Sequence, residues 1–176
     1  MAGQNRDDAP HLAPVTSQPR YIEFDPDHLG DVVAAMKAAA QAHVGWVNFE
    51  PAVHVEDAPP AGGGFFSLFS GRGPAVPLGT WTPAPAPRRG RDLPAMIGLQ
   101  HPAGGKAGML LERFGHPVPE GWPVTQDHVR KGIVVAVPPS AGHEDAVRWL
   151  LRAASLLSTV PLTGEWRAAV YGEPGA

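Results

Sequence analysis

Apolar and polar residues alternate over Arg20-Tyr21-Ile22-Glu23-Phe24, which predicts a strand with one buried face. Asp25-Pro26 follows as an N-cap acid and a proline at the first helical position. Leu29, Val32, Val33, Met36, Ala40 and His43 then recur at helical spacing, so an amphipathic helix is expected over 26–43, ended by Gly45. Trp46-Val47-Asn48-Phe49 reads as the next strand. Further on, Ala95-Met96-Ile97-Gly98-Leu99 predicts a short strand. His101-Pro102 opens a helix running to about Phe114, with Ala107, Leu110, Leu111 and Phe114 on one face and Gly115 as its stop. Trp122 to Asp127 and Gly132 to Val137 read as two more strands, close enough for a hairpin. Val147, Leu150, Leu151, Ala154 and Leu157 make the buried stripe of a last helix, begun at Ser140 or Gly142 with Glu144 and Asp145 in its positive first turn. Glu165 to Tyr171 is the final strand.

Two stretches lack this order. Residues 1–19 are polar, hold Pro10, Pro14 and Pro19, and show no period, so a disordered or loosely attached arm is expected. Residues 57–95 hold eight prolines and seven glycines around an apolar island, Phe65, Phe66, Leu68 and Phe69, and a basic cluster, Arg88-Arg89-Gly90-Arg91. Either this insertion contributes short strands, such as Thr80-Trp81-Thr82, or it is a flap; four large apolar side chains left in water favour partial order. Residues 173–176 are a tail. The expected fold is thus a single α+β domain over 20–172. Its sheet is mixed and mostly antiparallel, with five or six strands and about three helices on one face, ferredoxin-like in spirit.

Composition narrows the function classes. The chain has 176 residues, 43% hydrophobic and 18% charged, enough for one domain with a core. A net charge of −3 gives no electrostatic reason to expect nucleic acid. No window is long and apolar enough to span a bilayer, and the first residues lack the apolar core of a signal peptide. Cysteine is absent, which removes disulfides, thiol catalysis and thiolate metal sites and suits a cytoplasmic location. Eleven arginines against three lysines, with abundant Ala, Pro and Gly, match the codon usage of a GC-rich bacterium.

Candidate chemistry gathers at two strand ends. Gln126, Asp127 and His128 end one strand, with Arg130 in the turn beyond and Lys131 beginning the return. Gln100 and His101 end another. If the two strands are parallel around one helix, these ends share a rim, where ligands of α/β sheets favour binding. His101 and His128, with Asp127 orienting one imidazole, would then suit general acid–base chemistry. The same three side chains could bind a divalent metal, but HxxxH, HxH and HExxH spacings are absent and no metal is assigned. Gly104-Gly105-Lys106 is a glycine-rich helix entry whose N–H groups and lysine would hold an anion. It is no P-loop, because Gln100 stands at the first-glycine position and Ala107 follows Lys106. No motif implies a cofactor.

The expected function is therefore a non-catalytic binding module. It would take a small anionic ligand through Gln100, Gly104, Gly105, Lys106, Gln126 and Arg130, or a partner protein or second copy through Phe65, Phe66, Leu68 and Phe69. The alternative is a small hydrolase or transferase using His101, Asp127 and His128.

Overall fold

Alternating strands and amphipathic helices give the chain order β1 (Arg20–Phe24), α1 (Gly30–Ala42), β2 (Trp46–Val53), a single 3-10 turn (Val55–Asp57), β3 (Leu78–Thr82), β4 (Ala95–Gln100), α2 (Ala107–Arg113), β5 (Val124–His128), β6 (Gly132–Val137), α3 (His143–Leu157) and β7 (Leu162–Tyr171). This is a computed structural model, and it describes residues 18–57, 76–87 and 93–172. Most of the expected arm, the Phe65–Phe69 island, the Arg88-Arg89-Gly90-Arg91 cluster and the tail lie outside the described residues.

One sheet runs in the order β1-β7-β2-β3-β4-β6-β5. The α+β class holds, with two corrections. The sheet has seven strands rather than five or six, and every neighbouring pair is antiparallel rather than mixed. The extra strand is β3, which pairs on both sides inside the Pro/Gly-rich stretch. β7 lies between β1 and β2, and β6 lies between β4 and β5. Each helix-linked pair, β1-α1-β2 and β4-α2-β5, is therefore parallel and split by a later strand.

The register sorts side chains into two faces. Ile22, Ala168, Phe49, Gly79, Leu99, Ile133 and Asp127 stand in one row across the sheet, and all but Gly79 and Asp127 form part of the apolar core. This face carries the helices: α1 lies over β1 and β2, α3 over β3 and β4, and α2 over β5 and β6. Their buried stripes are Val32, Ala35, Met36 and Ala39 of α1, Ala107 and Leu111 of α2, and Ala146 to Leu157 of α3. Gly79 is small because Leu150 of α3 drops into its place; a Cβ there would sit 2.9 Å from a Leu150 methyl. No helix among the described residues is long and apolar enough to cross a membrane.

Two helices start later than expected. Asp25 does not cap α1. Its carboxylate accepts from the Asp27 and His28 amides at 2.8 and 3.1 Å and holds a turn ahead of the helix. Residues 101–106 form no helix either; Gly104 adopts φ +71°, outside helical space, and α2 begins only at Ala107.

Candidate functional site

Since β4 and β5 are parallel with β6 between them, their carboxyl ends reach one rim. Leu99, Ile133 and Asp127 stand side by side there. Alternation then separates neighbours in sequence: Asp127 and His101 fall on the helix side, and Gln100, Gln126 and His128 on the open side. Gly132, which begins β6 at φ +78°, brings the β5–β6 turn against β4, where a Cβ would lie 2.0 Å from the Leu99 carbonyl oxygen. Only glycine fits that approach.

On the helix side, Asp127 spans β5 and α2. Its Oδ1 accepts from the Ala107 amide at 3.0 Å and its Oδ2 from the Gly108 amide at 3.2 Å. Lys106, the N-cap residue, makes no side-chain cap bond, so a carboxylate from a distant strand does the capping. The first two amides of α2, just after Gly104-Gly105-Lys106, are thus already engaged by a carboxylate of the same chain. His101 is 3% exposed. Its Nδ1 accepts from the Ala103 amide at 3.3 Å, which leaves the proton of the neutral ring on Nε2, and Nε2 has no partner. Burial pushes the His101 pKa down, and the charge of Asp127 offsets part of that shift. No hydrogen bond joins His101, Asp127 and His128 to one another.

On the open side, a groove of about 450 Å³ crosses four strands. Leu78 and Thr80 of β3, Gly98 and Gln100 of β4, Val134 of β6, Gln126 of β5 and the turn residues Arg130 and Lys131 line it. Such a volume accommodates a small metabolite. His128 does not line the groove but braces its rim. Its Nδ1 accepts from the Arg130 and Lys131 amides at 3.1 and 3.3 Å, fixing the turn that presents both cations. The Gln126 Nε2 donates to the Lys131 carbonyl at 3.4 Å, so its Oε1 is directed elsewhere. Thr80 donates its hydroxyl hydrogen to Asn48 Oδ1 at 2.9 Å. Among the described residues, the Arg130 and Lys131 side chains form no ion pair and the Gln100 amide no hydrogen bond. Gly98 sits mid-strand, and among the described residues nothing lies within 4 Å of where its Cβ would be.

No protein-family model, no curated protein and no solved structure matches the chain. The site is read from its own geometry.

That geometry divides the residues named from the sequence. Gln100, Gln126 and Arg130 converge on the groove, while His101, Asp127, Gly104, Gly105 and Lys106 lie away from it. Among the described residues no group of three His, Asp or Glu side chains is arranged to hold a metal, and His101, Asp127 and His128 do not make one. Leu78, Thr80, Gly98, Lys131 and Val134 also line the groove, outside the site residues expected from the sequence. Gly98 alone left a sequence signal: a glycine inside a strand often marks a close approach by a ligand or another backbone.

Proposed function

We propose that the protein is a binding module that seats a small anionic ligand in the open-face groove, with Arg130 and Lys131 holding the charge. The observation that carries this reading is the pair of rim cations. No acidic side chain among the described residues neutralises them, and His128 fixes the turn that carries them. Beside them stand the Gln100 and Gln126 amides, which fix orientation in the manner of small-molecule sites. The catalytic alternative has less support, because His101 is sealed in the interior and the sheet parts it from His128.

The test is a thermal-shift and calorimetric screen of inorganic phosphate, phosphorylated sugars and small dicarboxylates. It is repeated on Arg130→Ala/Lys131→Ala and on Lys106→Ala. The double variant is expected to lose at least about tenfold in affinity, near 1.4 kcal/mol, while Lys106→Ala binds as the parent does. Loss in Lys106→Ala with retention in the double variant would move the site to the helix entry and end this reading.

A further inference from the structure

We infer that the ligand is a phosphorylated nitrogen heterocycle, a nucleotide-like molecule, whose flat ring lies on Gly98 and donates a hydrogen bond to Thr80 while its phosphate meets Arg130 and Lys131. The inference rests on the groove reading and names the ligand class within it. Three features carry it.

The first is length. Thr80, Gly98, Val134 and Gln126 stand in one row across four adjacent strands. At the usual strand spacing the outer two are about 14 Å apart, and the cations lie at the Gln126 end. A lone phosphate on Arg130 and Lys131 leaves the Thr80 end empty, so the ligand has an anionic end and a second, separate end.

The second is the floor. Gly98 has no side chain, and no described residue lies within 4 Å of where its Cβ would be. Leu78 and Val134 lie beside it, so the far end of the groove has a flat, largely apolar base between polar walls. A planar ring fits such a base, and any Cβ at 98 would stand in its way. Mid-strand glycine is otherwise disfavoured, and neither a positive φ nor a packed neighbour among the described residues requires it here.

The third is direction. Asn48, 5% exposed, accepts the Thr80 hydroxyl hydrogen on its Oδ1. An amide oxygen can only accept, so the Thr80 hydrogen is committed and only its lone pairs are free. A group seated there must donate an N–H or O–H. Gln100, with both an N–H₂ and a carbonyl uncommitted, reads the remaining ring edge.

The experiment is isothermal titration of the full chain with five probes: ribose 5-phosphate, the monophosphates of adenosine, guanosine and uridine, and purine riboside 5′-monophosphate. The last has a purine face but no ring or amino N–H donor. At least one donor-bearing nucleotide is expected to bind about tenfold or more tighter than ribose 5-phosphate. Gly98→Val, with Gly98→Ala as the milder version, should erase that advantage and leave ribose 5-phosphate unchanged. Thr80→Val should weaken the donor-bearing nucleotide about tenfold and leave purine riboside 5′-monophosphate unaffected, while Thr80→Ser retains binding. Denaturant midpoints verify that each variant is folded. Nucleotides no tighter than ribose 5-phosphate, or indifference to both Gly98 and Thr80, would overturn the ligand class while leaving an anion site intact. No binding of any probe, or binding untouched by Arg130→Ala/Lys131→Ala, would overturn the site itself.

Discussion

Each polar residue at the rim has a different task, and the tasks follow from which atoms are already engaged. His128 spends its Nδ1 on two turn amides, Thr80 spends its hydrogen on Asn48, and Asp127 spends both oxygens on α2. His101 has one nitrogen engaged and the other orphaned in the interior. An orphaned buried N–H costs about 1–3 kcal/mol, and a charged ring there would cost more. The folded-state pKa of His101 lies below its ordinary 6.5, so the unfolded chain takes up that proton first as pH falls. The stability present above the unfolded value is then lost progressively on acidification, until the folded pKa is passed. Denaturant unfolding between about pH 7.5 and about pH 5 should show a shallower decline for His101→Gln than for the parent. His143, whose pKa burial and Lys37 also lower, contributes a similar slope to both proteins and cancels in the comparison. Equal slopes would mean that His101 is not sealed.

Among the elements, α2 depends most on a partner distant in sequence. It has seven residues, too few to persist alone, and its cap comes from β5. Asp127→Ala should cost about 1–2 kcal/mol in urea unfolding and speed hydrogen exchange at the Ala107 and Gly108 amides; unchanged exchange there would refute the cross-strand cap. The same element shows where sequence reading succeeded and where it stopped. Strand β6 and the α3 stripe were legible because five apolar residues in a row and a 3.6-residue period are local signals. The 101–106 segment reads as helix because His101-Pro102 resembles a helix opening ahead of the Ala107, Leu110, Leu111 and Phe114 face, whereas Gly104 at φ +71° keeps the chain out of helical space until Ala107. β3 was obscured because Pro77 and Pro83 bracket a strand of only five residues. The shared rim of β4 and β5 was inferable from chain order. That Asp127 and His128 point to opposite faces follows from period-two alternation, whereas bringing Thr80 beside Gly98 needed the register across β3 and β4, which no local pattern encodes.

At the scale of the molecule, the sheet is a partition between a load of packing on one face and a polar, ligand-sized groove on the other. The two faces should respond separately to substitution. Ile133→Ala, on the helix face and fully buried, should cost about 2–5 kcal/mol. Gln100→Ala and Gln126→Ala, one strand away on the open face, should change stability by no more than about 0.5 kcal/mol and register only in ligand titrations. Paired urea melts and calorimetry on the three variants test the partition; a large stability loss in either glutamine variant would break it. The strand order has a temporal consequence as well. β7 is the last of the described strands in chain order, yet it fills the gap between β1 and β2, the first two of them. During synthesis β1 and β2 lack the strand that joins them until β7 emerges. Closing the sheet thus joins described strands far apart in sequence, a slow step by loop entropy, and a ribosome stalled before residue 162 would release a product in which β1 and β2 each present an edge that β7 otherwise covers, with a strong tendency to aggregate.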